Sequence, residues 1–425
     1  MASPRLFVAA VVAAAIVGAA APIAQSPIRP PLGGTSERSK VHGKALETNL
    51  VSQPLRAAVE RGDIPGVVAL VADRDGVVYE GAFGKLDVAH GTAMPTNAIF
   101  RIASMTKPIT STAIMMLIDE GRLGLDDPVS MYLPGFDHLQ VITKFNAADA
   151  TYETRPAKRA MTIRHLLTHT SGIGYAFSNP IVARLLQGTQ KSEWELPLLH
   201  DPGDKWTYSA STRVLGLVVE KVTGKPLDVF LQERIFQPLG MTETSFVVPA
   251  ENVARVATVH QRTGGKLVEQ PNAPAQRSPV RGDGGLYSTA RDYAKFTQML
   301  LNGGTLGGAR ILSDKSVKAM GDNQIGSIVV EEQPAADPAR TRPFPIGAGH
   351  DKFGFGFQIQ AREGRDPKYR SAGSLSWAGI DNTHFWIDPV RHIAAVVLMQ
   401  VLPFYDDAAI RTLRDFEEVV YRQVG

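Results

Sequence analysis

The sequence predicts an α+β protein: an antiparallel sheet flanked by terminal helices, with an inserted all-α domain. Three observations carry this. An amphipathic helical stretch and two strand-like runs come first in the chain. A strand hairpin and a helix come last. Between them, from Val129 to about Thr289, helical spacings and long loops replace the strands. Helix and strands at both ends describe one sheet domain split by a helical insertion. The expected boundaries are 45–128 and 290–425 for the α/β sheet domain, and 129–289 for the mainly α-helical domain.

The chain begins with an expected export signal over residues 1–24. Arg5 supplies the positive end, Leu6–Ala21 the apolar stretch, and small residues follow toward Ala24. An uncleaved anchor is the alternative, but the stretch is short for a spanning helix. This reading places the protein in the periplasm or outside the cell, with no stable membrane insertion once processed. Residues 25–44 are rich in Pro, Gly, Ser and Arg and read as a flexible lead-in.

Leu46–Glu60 has helical spacing, with Leu50, Leu55, Ala58 and Val59 as its apolar positions. Val67–Ala72 reads as a buried strand, Asp73–Gly76 as a turn and Val77–Gly84 as the hairpin partner. A loop then leads to Ser104, and an apolar helix follows from Pro108 to near Gly121. In the insertion, Met161–Thr168, Ser211–Thr223 and Leu227–Phe236 read as helices. Gly282–Thr289 is glycine-rich without a phosphate-loop pattern and reads as tight backbone packing. Ser327–Phe353 suits a rim loop. Phe355–Ile359, Thr383–Asp388 and Ile393–Met399 read as strands, and Asp407–Val424 as the last helix.

Composition excludes several function classes. Apolar content is 44% and charged content 20%, which is ordinary for a globular chain. The net charge of +3 comes from mixed signs with no long basic run, so nucleic acid is not indicated. The absence of cysteine removes thiol catalysis, disulfides and thiolate metal sites. His165 and His169 are four residues apart, as two metal ligands on a helix can be. No Glu follows His165 in an H-E-x-x-H pattern and no third ligand is evident, so packing and hydrogen bonding are the preferred reading and no metal is assigned.

Ser104-Met105-Thr106-Lys107 is where chemistry concentrates. Pro lacks an N–H and suits the first turn of a helix, so Pro108 sets the helix start near Ser104. Ser104 and Lys107 then share a face. A serine hydroxyl needs a base to become a nucleophile, and a lysine whose charge burial has removed can be that base. The S-x-x-K pattern by itself arises about once by chance in a chain this long. Tyr208 lies on an expected loop leading into a helix. It can be a functional side chain or an aromatic packed on Trp206.

Taken together, Ser104-x-x-Lys107, Tyr208-Ser209-Ala210 and Trp377-Ala378-Gly379 resemble the three active-site elements of class C β-lactamases, DD-peptidases and their serine esterase relatives. Their order and approximate separations match as well. Arg164–Gly172 and Pro238–Met241 resemble family helices and turns, and the likeness runs from Leu46 to Val424. It implies the β-lactamase/DD-peptidase-like fold, with the active site between the two domains. It also implies an acyl-enzyme on Ser104, with Lys107 and Tyr208 moving its proton. Which of the two is the base stays open at this level. The backbone N–H groups of Ser104 and Ile380 would form the oxyanion hole, and Trp377, Ala378 and Gly379 would bind substrate. No cofactor is implied.

Two departures from the class C pattern bear on substrate. Its Y-x-N element ends here in Ala210, and its K-T-G element is absent, with Trp377-Ala378-Gly379 in that place. That tripeptide resembles the W-x-G of family VIII carboxylesterases. Tryptophan offers apolar area and one N–H but no positive charge. The expected substrate is therefore a small neutral acyl ester rather than an anionic lactam. A β-lactamase or D-amino-acid peptidase, an acyltransferase and a non-catalytic ligand-binding member remain alternatives. A conventional α/β-hydrolase is disfavoured, because no serine sits in a G-x-S-x-G elbow.

Overall fold

Gly66–Asp73 and Ile393–Leu398 are buried at every residue. They read GVVALVAD and IAAVVL, unbroken apolar runs of the kind a strand needs when both faces are covered. The computed structural model describes residues 46–270, 279–362 and 366–424. The expected export signal and lead-in, residues 1–44, lie outside the described residues. The large sheet is built from β1 (Gly66–Asp73), β2 (Val77–Asp87), β3 (Thr92–Ala93), β4 (Lys352–Phe353), β5 (Gln358–Ile359), β6 (Leu375–Gly379), β7 (Thr383–Asp388) and β8 (Ile393–Leu398). Their order is β4-β5-β6-β7-β8-β1-β2-β3, antiparallel throughout. The two ends of the chain thus meet in the sheet, with Val68 opposite Leu398 and Leu70 opposite Val396.

The helices that matter here are α1 (Thr48–Glu60), α2 (Thr106–Asp119), α3 (Ser211–Thr223), α4 (Ala290–Leu301) and α5 (Asp407–Val424). Strand side chains alternate between faces. Val67, Ala69 and Val71 of β1 pack with Leu55 of α1 and Phe416 and Val420 of α5. Val68 and Leu70 pack on the other face with Ile109 of α2 and Tyr293 and Met299 of α4. The fold is the expected α+β arrangement. Among the described residues no helix is long and apolar enough to cross a membrane.

Three local expectations change. Leu50 is exposed and Val51 takes its place in the core, which turns the helix face by one position. The run Phe355–Ile359 is strand only over Gln358–Ile359. Gly356 adopts φ +93°, and a Cβ there would lie 2.5 Å from Ser111 Oγ, so the chain bends against α2 instead of extending. The segment 129–289 contains strands as well as helices: hairpins Gln140–Phe145/Tyr152–Pro156 and His260–Thr263/Lys266–Glu269. Both hairpins are largely exposed and polar, so they lack the alternation that marks a half-buried strand.

One buried ion pair ties α5 to the strand beside the site. The Arg370 guanidinium donates twice to Glu417, at 2.8 Å each, and the Arg370 backbone N–H donates to the same carboxylate at 3.0 Å. Glu417 is fully buried, and Arg370 enters the turn that leads into β6. Glu417→Ala strands a buried guanidinium. The expected loss is about 3–5 kcal/mol of unfolding free energy, read by urea denaturation.

Candidate active site

Ser104 sits in a tight turn, Ala103–Met105, that runs directly into α2. The turn is held from several sides. Phe100–Arg101 pairs with Tyr287–Ser288. The Tyr293 hydroxyl donates to Met105 O at 2.9 Å. Ala103 is a non-glycine residue at φ +44°, a conformation that costs about 1–3 kcal/mol and persists only where its surroundings impose it. The end of β6 is among those surroundings: a Cβ on Gly379 would lie 2.4 Å from Ile102 O. Only glycine allows β6 to approach the serine turn this closely.

Lys107 lies one turn along, on the same face as Ser104. Its Nζ donates to Ser104 Oγ at 3.2 Å and to Asp283 O at 2.8 Å. The side chain is buried, and burial pulls its pKa down to about 7, although the Asp283 carboxylate opposes the fall. The Tyr208 and Tyr175 rings stand 4.8 Å and 5.1 Å from Nζ. They close the apolar shell that desolvates it.

Tyr208 enters from the loop before α3, as expected. It is buried, and burial raises its pKa well above the ordinary phenol value, while Ser104 and Trp377 beside its hydroxyl pull the other way. The Trp377 N–H stays short of hydrogen-bond geometry. The Tyr208 backbone N–H donates to Gln333 Oε1 at 3.2 Å, which ties the Ser327–Phe353 loop to the site.

The Gly282–Thr289 segment does more than pack. The Thr110 hydroxyl donates to Gly282 O at 2.7 Å. Asp283 accepts from Tyr175 at 2.5 Å and from Arg213 at 2.9 and 3.0 Å. Burial alone would raise the Asp283 pKa, but Lys107 and Arg213 outweigh it and hold the carboxyl below its usual range. Asp283, Tyr175 and Arg213 were not singled out from sequence. An aspartate between glycines was the one available signal, and its partners lie 108 and 70 residues away.

Ser104 and Ile380 line one cavity of about 1100 Å³, together with Tyr175, Phe177 and Arg213. Trp377 and Ala378 line a separate space of about 550 Å³, and Gly379 lines neither. Of the residues expected to bind substrate, this tripeptide therefore does not line the cavity that holds Ser104. Trp377 pairs with Phe385 across the sheet and points into the core. There its ring lies 5.0 Å from Tyr208 and 6.3 Å from His169. Trp377 thus touches Tyr208 from behind.

The two histidines have separate tasks. The His165 Nδ1 accepts from the Thr162 N–H at 3.1 Å and closes a capping box. The His169 Nδ1 meets Ser209 Oγ at 3.0 Å, and burial, reinforced by the Lys107 charge, lowers its pKa well below the ordinary value.

Known proteins resemble this chain over most of its length. Protein Rv1367c of Mycobacterium tuberculosis is 35% identical over 366 residues, covering 82% of this chain and 89% of its own. Lovastatin esterase of Penicillium rubens is 30% identical over 393 residues, covering 87% and 97%. The solved structure of simvastatin synthase (LovD) from Aspergillus terreus, in its LovD9 mutant form, superposes with a TM-score of 0.76 at 28% identity, over 88% of this chain and 98% of its own. The Beta-lactamase family model matches residues 51–419, from α1 to α5 and across the whole Ser104 site, and the chain belongs to the Beta-lactamase family.

Proposed function

We propose that the chain is a serine carboxylesterase that cleaves small acyl esters through an acyl-enzyme on Ser104. The observation that carries this is the buried Lys107 Nζ, 3.2 Å from Ser104 Oγ with its pKa drawn to about 7. A lysine neutral near physiological pH is a competent base for a serine hydroxyl. Tyr208 is shifted the opposite way and stays protonated, so it serves as donor rather than base. Ser104 Oγ attacks the ester carbonyl as its proton passes to Lys107. The N–H groups of Ser104 and Ile380 receive the oxyanion, an interaction worth about 2.7–4 kcal/mol per donor in the transition state. The proton returns through Tyr208 to the leaving alcohol, and water then releases the acid by the reverse route.

The strand lysine of the class C K-T-G element is absent, and Trp377 stands at that position. That position therefore supplies no counter-charge for an anionic lactam. Similarity to an esterase supports the hydrolytic reading. Similarity to acyltransferase calJ of Penicillium decumbens favours a second one, transfer of the acyl group to another alcohol or amine. Progress curves on p-nitrophenyl butyrate and nitrocefin test the proposal. Fast ester turnover with little nitrocefin turnover is expected, and the reverse overturns it. Product analysis with an added alcohol separates hydrolysis from transfer.

A further inference from the structure

The Ser104 cavity does not end at Ile380. A second opening of about 1210 Å³ shares Ala103, Arg281, Arg340 and Ile380 with it. Arg101 also lines this opening, and among the described residues Asp381 is its one carboxylate. Three guanidiniums thus face one carboxylate. Among the described residues that line the Ser104 cavity, Arg213, Arg281 and Arg340 are matched by Glu193, Asp283 and Asp337.

These arginines are poorly paired. Among the described residues, Nε of Arg101 and Nε of Arg281 are buried with no hydrogen-bond partner. Asp283 lies 3.7 Å from Arg281 and is already held by Arg213 and Tyr175. Among the described residues, Arg101 and Arg340 make no ion pair within 4.0 Å. A buried guanidinium N–H without an acceptor is costly, and a ligand oxyanion removes the cost. Guanidinium also matches a planar oxyanion in two parallel hydrogen bonds, which a lysine cannot do.

Resting on the acyl-enzyme reading above, we propose that the substrate carries an oxyanion, carboxylate or phosphate, seated against Arg101, Arg281 and Arg340. The reacting carbonyl lies at Ser104 and Ile380, and the charged end reaches past Ala103 into the second opening. The substrate is thus anionic at the end remote from Ser104.

Two ester pairs test this, each an acid and its own methyl ester. In p-nitrophenyl hydrogen adipate the charge is on the acyl half, and in 4-acetoxybutanoate on the alcohol half. The acid of at least one pair is expected to exceed its methyl ester in kcat/KM by about tenfold, as one or two charge-assisted hydrogen bonds give. In Arg340→Ala and Arg281→Ala the ratio falls toward one. Arg340 is exposed, so its variant keeps the fold. Competition by hexanoate and by monobutyl phosphate tells carboxylate from phosphate. Equal rates within both pairs, or a preference that survives both arginine variants, overturn the proposal. Calorimetry of hydrogen adipate esters on Ser104→Ala protein reads the anion site without turnover. Loss of all turnover with that binding intact would therefore sink the esterase reading and leave the oxyanion site standing.

Discussion

Ser104→Ala is expected to lower kcat/KM on p-nitrophenyl butyrate by at least about 10⁴-fold, because removing the nucleophile leaves only binding and the oxyanion donors. The fold should survive. Ser104 is only partly buried, and its turn is held by bonds that do not involve its hydroxyl, such as that from Tyr293 to Met105 O. Labelling with a serine-directed phosphonate gives the second readout. Wild-type protein takes up one phosphonyl group at Ser104, located by mass spectrometry, and the alanine variant takes up none. Wild-type-like turnover in the variant, or labelling elsewhere, would refute the assignment.

Lys107→Met is expected to lower kcat by about 10²–10⁴-fold, the usual worth of a positioned general base. In the wild type the base must be neutral, so activity falls as pH drops through about 7. That acid limb should vanish in the variant. The same titration governs stability. The folded chain holds this amine at about 7 against 10.5 for an ordinary lysine, so between those values the unfolded chain binds the extra proton. Folding stability contributed by this group therefore rises with pH across that window. Below it, both states carry the charge and its burial cost is fully present. Lys107→Met removes that cost, so the gain in thermal midpoint should be larger near pH 6 than near pH 9. A variant destabilised at both pH values would mean that the amine's bond to Asp283 O outweighs its desolvation.

These effects trace back to features of very different range in the chain. The strands β1 and β8 were readable because burial on both faces forces continuous apolar runs. Helix α2 and the relation of Ser104 to Lys107 were readable because Pro108 sets the helix start and three residues make nearly one turn. The two exposed hairpins were not readable, since nothing buries one face of them.

The site divides along the same line. Sequence by itself determined the α+β frame from its apolar patterns, and the closeness of Ser104 to Lys107 and the place of Tyr208 at the approach to α3 from spacing within one or two turns of chain; the roles expected of these residues came from the resemblance of the three motifs. Tertiary structure alone decided that Asp283 O holds the lysine and that Trp377 lies behind Tyr208. It alone also brought Arg101, Arg281 and Arg340 to one opening. Those outcomes depend on contacts between residues tens to hundreds of positions apart. The energy of such contacts comes from desolvation and charge, which local periodicity does not encode.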